Sequence, residues 1–132
     1  MTIFARGKQL KTSSQGMTEH KKMAHTYDEV IASIRQLAER TMPPGGSVWL
    51  YGSRARGDAD GESDWDLLIV LDKRRIEESD WDDVVYPFTE LGWDLDESIS
   101  AIPYTREGWR ANSFMPFHKN VEQEKIVIYG TK

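Results

Sequence analysis

Two aspartates separated by one residue, Asp64 and Asp66, stand at the start of an otherwise apolar stretch, WDLLIVL over 65–71. Residues two apart on a strand project to the same side, so the two carboxylates stand side by side with Cα atoms about 6–7 Å apart. Without a cation between them such acids repel, and each raises its neighbour's pKa. Hard oxygen ligands of this kind suit Mg²⁺, which keeps several waters and takes one or two carboxylates together with substrate phosphates. Ahead of them, Gly52 and Ser53 close a second short β-prone stretch. Gly52 lets backbone approach a ligand closely, and Ser53 with the amides after it, where they open a helix, forms a nest for phosphate. Arg54 and Arg56 supply cationic charge for the remaining phosphate oxygens. These are the parts of phosphoryl or nucleotidyl transfer, in which metal and cationic donors stabilise charge and position an attacking hydroxyl. The plainer readings are acids that solubilise a loop, a glycine that only ends a strand, and arginines at the surface; for Arg54 the plain reading weighs as much as the functional one.

The elements that must position these residues follow from periodicity. Thr26 and Glu29 form a capping-box pattern, and Val30, Ile31, Ile34, Leu37, Ala38 and Met42 recur at helical spacing until Pro43-Pro44-Gly45-Gly46 stops the run. Residues 47–51, SVWLY, read as a strand that ends at Gly52, and 65–71 as a strand buried on both faces. The acids Asp58, Asp60 and Glu62 belong to a solvated loop between them. From Asp80 the positions Val84, Val85, Phe88 and Leu91 predict a helix that Gly92 ends, with Asp82 and Asp83 in its acidic first turn and Pro87 as an irregularity in its middle. Residues 95–104 read as a third strand. Thr105 caps a short helix containing Trp109, 117–124 is helical, and 126–129, IVIY, is a final strand. Trp65 points to the sheet face opposite its flanking acids, and Trp81, Trp93 and Trp109 are core or partner contacts. The expected fold is α+β, layered: a small mixed β-sheet of about four to five strands flanked by helices.

At 132 residues the chain has room for one core. Residues 1–25, with Lys8, Lys11, Lys21 and Lys22 amid polar residues, predict a flexible arm in which His20 and His25 are inert, and 26–132 predicts the functional domain. Met17 is an alternative start. The arm lacks the apolar segment of a secretory signal and the Arg-rich pattern of a transit peptide. There is no cysteine, so any metal is held by oxygen or imidazole. A net charge of −5 argues against a broad nucleic-acid-binding face. No apolar run is long enough to span a bilayer, and a cytoplasmic location is expected. His118 reads as a structural residue.

The Gly52-Ser53 pair, ten intervening residues, then Asp64-x-Asp66, with Arg56-Gly57 after the serine, resemble the signature of the DNA polymerase beta-like nucleotidyltransferase superfamily, and more narrowly its minimal nucleotidyltransferases (MNT type). Weaker similarity runs from about Tyr27 to Tyr129. The resemblance implies a nucleoside triphosphate, ATP or another NTP, as substrate, with Gly52 and Ser53 on the triphosphate, and Arg54 and Arg56 beside them. It implies Mg²⁺ held by Asp64 and Asp66, and transfer of a nucleoside monophosphate to a hydroxyl, with pyrophosphate leaving. By family analogy the acceptor is a protein tyrosine of a HEPN-type toxin partner, which makes this chain the antitoxin; the small domain must borrow its acceptor-binding part from another protein, and an oligomer is compatible with that.

The resemblance also implies a third catalytic carboxylate on the strand that precedes Thr105. Its position falls on or near Ser100, which can serve neither as a base nor as a strong Mg²⁺ ligand. Asp96 is the candidate replacement, catalytic beside Asp64 and Asp66 if the strand starts early enough to place 96, 98 and 100 on one face; Asp94 and Glu97 are close by. The alternative reading is a catalytically impaired nucleotide-binding or neutralising subunit that lacks the third carboxylate.

Overall fold

The computed structural model describes residues 25–132; apart from His25, the arm expected over 1–25 lies outside the described residues. Helix α1, Tyr27–Thr41, starts with the capping box anticipated from sequence: Glu29 N–H donates to Thr26 Oγ1 at 3.1 Å and Thr26 N–H to Glu29 Oε1 at 2.8 Å. Its apolar stripe buries Val30, Ile34, Leu37 and Ala38, worth about 1.5–3 kcal/mol for each larger side chain. Strands β1, Ser47–Tyr51, and β2, Trp65–Leu71, flank the four-residue helix α2, Ser53–Arg56, and the loop after it.

One rod of helix covers the sheet beside α1, in three parts: α3, Glu78–Asp80, a π-helical turn, Trp81–Val85, and α4, Tyr86–Leu95. Pro87 has no N–H to give to the preceding turn, and the wide turn sits immediately ahead of it. Gly92 does not end this helix. It is buried inside it, because a Cβ there would lie 2.7 Å from the Glu97 carbonyl oxygen and 3.2 Å from Ile99 Cγ1; the glycine permits close packing, and the helix stops at Asp96, its left-handed cap at φ 57°. Strand β3 accordingly runs Ile99–Thr105 rather than 95–104. Thr105 caps α5, Arg106–Ala111, by accepting from Gly108 N–H at 2.9 Å, and α6, Pro116–Glu124, leads into β4, Ile126–Tyr129.

The sheet order is β3-β2-β1-β4, with β2 parallel to β3 and β1 antiparallel to both β2 and β4. This is the mixed sheet flanked by helices expected from sequence, with four strands. One face, carrying Val48, Leu50, Trp65, Leu67, Ile69 and Leu71, packs on α1 and α4. The other, carrying Trp49, Leu68 and Val70, packs against Trp109 of α5 and Val121 of α6. His118 stacks on Trp109 with ring centroids 4.4 Å apart, which supports the structural reading of that histidine. Trp65 and Trp109 are core, whereas Trp81 and Trp93 are exposed. Among the described residues no helix is long and apolar enough to cross a membrane.

Candidate active site

The site forms where β1 ends and β2 begins. Tyr51 pairs with Asp66 in the antiparallel register, so the last residue of one strand lies beside the acid of the next. Alternation along β2 carries Asp66 to the same face as Leu68 and Val70, where Phe117 of α6 packs on its strand neighbour Tyr51 with ring centroids 5.5 Å apart. The next residue, Gly52, turns the chain into α2 with φ 78° and ψ −162°, a conformation that essentially only glycine adopts. A Cβ at this position would overlap Asp66 Oδ2, so the carboxylate rests directly against the glycine Cα. Position 52 therefore requires glycine twice, for its backbone angles and for the space beside the acid.

Neither Asp64 nor Asp66 accepts a hydrogen bond from, or pairs with a cation of, any described residue. Asp64 is exposed and Asp66 half-buried. Burial, and then the charge of Asp64, push the Asp66 carboxyl above its usual range; Arg56 pulls it back only in part, and Glu124 adds a further upward push. Two adjacent carboxylates with spare lone pairs and a destabilised charge are a donor set that fits a hard divalent cation. Among the described residues no group of three or more histidines and acids is placed to hold a metal.

Arg54 turns away from this pair. Its guanidinium donates twice to the Ser63 carbonyl, at 2.9 and 3.3 Å, lies 3.7 Å from Glu97 Oε1, and stacks over the Trp65 ring at 4.5 Å. It thus ties the residue before Asp64 to Glu97 and Trp65. Arg56 is exposed, paired with Asp58 at 3.2 Å and Glu124 at 3.1 Å, and it acts electrostatically on Asp66. The Ser53 hydroxyl, at the first position of α2, makes no hydrogen bond to any described residue.

The placement expected for Asp96 is corrected by the structure. The residue precedes β3 as the left-handed cap of α4, so it does not share a strand face with Ser98 and Ser100, and it lines a depression with Glu62, Ser63, Trp93 and Ser98. The residue registered beside Asp66 is Ser100. The early start of β3 on which Asp96 depended fails because Gly92 does not stop the helix.

Sequence reasoning missed two residues here. Glu124, the last residue of α6, accepts the Gly52 N–H on Oε2 at 2.6 Å and Arg56 Nη1 on Oε1. The signal was present but non-local: β4 pairs with β1 as Leu50 with Ile126, and two residues further along this antiparallel register Gly52 meets Glu124. Tyr51 is the other. Burial, then the charge of Asp66, push its hydroxyl up to about 12, so it remains a neutral donor beside the acids.

A family model described as nucleotidyltransferase domain matches residues 29–129. A protein of Methanocaldococcus jannaschii assigned as a protein adenylyltransferase is 39% identical over 82 residues, covering 62% of this chain and 76% of the relative. Among solved structures, a chain of a toxin–antitoxin complex with AMP-PNP superposes with a TM-score of 0.56 at 19% identity, covering 77% of this chain and 74% of the other. A chain from a complex of tri-AMPylated Shewanella oneidensis HEPN toxin with MNT antitoxin superposes at 0.52 and 14% identity, covering 80% and 74%. At these identities the two superpositions establish the fold.

Proposed function

The chain belongs to the nucleotidyltransferase domain family, and from that membership we propose that residues 26–132 form an Mg²⁺-dependent enzyme that moves a nucleoside monophosphate from ATP to a hydroxyl of a protein partner. The observation that carries the reading is the Asp64 and Asp66 carboxylates, unpaired among the described residues, beside the Gly52-Ser53 turn, with Asp66 in contact with the glycine. Bound there, Mg²⁺ would neutralise phosphate charge and bring the acceptor hydroxyl within reach of the α-phosphorus. Asp64 and Asp66 hold the cation. Ser53 offers its hydroxyl to the triphosphate, and Arg56 adds positive charge beside it. Tyr51 borders Asp66 as a neutral donor, and Arg54 keeps Ser63, and with it Asp64, in place.

The partner reading is supported by a relative assigned as a protein adenylyltransferase and by a structural neighbour from a complex of HEPN toxin with MNT antitoxin. A HEPN-type toxin tyrosine as acceptor, an antitoxin role and a cytoplasmic location are the corresponding proposals for this chain. The test is incubation with α-labelled ATP and Mg²⁺ alongside the product of the adjacent reading frame, comparing wild type with Asp64→Ala/Asp66→Ala. Label that appears on the partner only with the wild type supports the mechanism; equal label with both removes it.

One observation favours a second reading. Ser100, not an acid, stands beside Asp66, and a two-carboxylate site can hold Mg-ATP without a base to activate the acceptor. Tight nucleotide binding without transfer would establish that neutralising role.

A further inference from the structure

We propose that Glu124 is the positioning residue of this site: it fixes the Gly52-Ser53 turn and the Arg56 guanidinium, and acts on the triphosphate only through them. The inference rests on the reading of the turn as a phosphate site. Helix α2 has four residues and ends at Gly57 in the left-handed region, so it has too few internal hydrogen bonds to hold itself in place. Gly52, ahead of it, is the residue type with the least conformational restraint. A turn of this kind needs a staple from outside, and Glu124 supplies one on both sides. One oxygen takes the Gly52 N–H at 2.6 Å, before α2, and the other takes Arg56 Nη1 at 3.1 Å, at its end.

The staple is well founded. Glu124 is only 16% exposed at its side chain, and the pairing of β4 with β1 delivers it from 72 residues away. With its N–H so engaged and its Cα against Asp66, Gly52 is fixed from two directions. Ser53 follows directly, so its hydroxyl inherits that orientation. The carboxylate is charge-balanced by Arg56, which also faces Asp58.

The test compares Glu124→Ala and Glu124→Gln with wild type. The amide oxygen of glutamine still accepts the Gly52 N–H, whereas alanine accepts nothing. Titration with Mg-AMP-PNP should show Kd raised about 10- to 100-fold in the alanine variant, as for the loss of a charge-assisted hydrogen bond, with part of it restored by glutamine, which keeps the acceptor for Gly52 without the charge that holds Arg56. In the transfer assay KM for ATP should rise by a similar factor, with kcat lowered less. Hydrogen exchange of the amides of residues 52–57, which needs no nucleotide, should be at least about 10-fold faster in the alanine variant. Unchanged exchange there overturns the proposal, as does nucleotide binding that is equal or tighter in Glu124→Ala, the result expected if Glu124 competes with phosphate. A wild type that binds no Mg-AMP-PNP overturns the phosphate-site reading instead, and exchange then decides the staple by itself.

Discussion

Ser100 lies directly beside Asp66 in the parallel pairing of β3 with β2, so a side chain at position 100 projects on the same face, next to that carboxylate. Ser100→Asp should therefore create a three-acid site. Without divalent metal the added like charge lowers stability by about 1–3 kcal/mol. Millimolar Mg²⁺ should reverse the loss by binding the folded state. Thermal melts with and without Mg²⁺ check this; a variant whose Tm ignores the metal would show that position 100 does not join the acid pair.

Asp66→Asn should separate function from stability. Transfer falls by at least about 100-fold, the scale of losing a metal-held charge in the transition state. The fold should be as stable as wild type or more so, because the carboxylate is half-buried, without a cationic partner among the described residues, and raised in pKa by that burial and by the charge of Asp64. Labelled-ATP transfer and denaturant unfolding of the same preparation provide both readings.

The Asp66 carboxyl is held above the usual carboxylate range, first by burial and then by the charge of Asp64. The folded protein therefore takes up this proton at higher pH than the unfolded chain. Asp66 destabilises the metal-free fold above its raised pKa, and that cost is relieved as pH falls through the raised value towards the ordinary one. Metal binding has the opposite sign, because the proton competes with Mg²⁺ for the same oxygens. Calorimetric titration with Mg-AMP-PNP should show affinity falling at a pH above that of an ordinary aspartate. In Asp66→Asn, unfolding free energy should lose this component of its acid dependence.

Gly52→Ala should damage both fold and site. The backbone angles at 52 are strained for alanine, and its Cβ overlaps Asp66 Oδ2. The cost is about 1–3 kcal/mol, visible in a urea melt, with Mg-AMP-PNP binding lost because Asp66 must move. Binding at wild-type affinity would contradict the close contact between these two residues.

Arg54→Ala should act through Asp64. It removes two hydrogen bonds to the Ser63 carbonyl and the stack on Trp65, costing about 2–3 kcal/mol and roughly 10 °C or more in Tm. Arg54→Lys keeps the charge but not the two-pronged donation, so it should recover only part of the loss. Measured by differential scanning calorimetry, full rescue by lysine would mean that charge alone matters at this position.

Local sequence determined the parts of this protein whose geometry depends on near neighbours. The capping box at Thr26 and the strands over 47–51 and 65–71 follow from periodicity and side-chain chemistry within a few residues. Together with the Gly52-Ser53 pair, these made the family and the α+β layered fold readable before any coordinates. The tertiary structure decided what depends on register. Gly92 reads as a helix stop, yet packing against Glu97 and Ile99 makes it an interior residue, which delays β3 and leaves Asp96 ahead of it as the cap of α4. Arg54 reads equally as a phosphate ligand or a surface charge, and only the fold brings Ser63, Glu97 and Trp65 to its guanidinium. Glu124 meets Gly52 only because β4 pairs with β1 across more than seventy residues. Strand pairing is set by the whole sheet burying its faces at once, and a chain read a few residues at a time contains no such constraint.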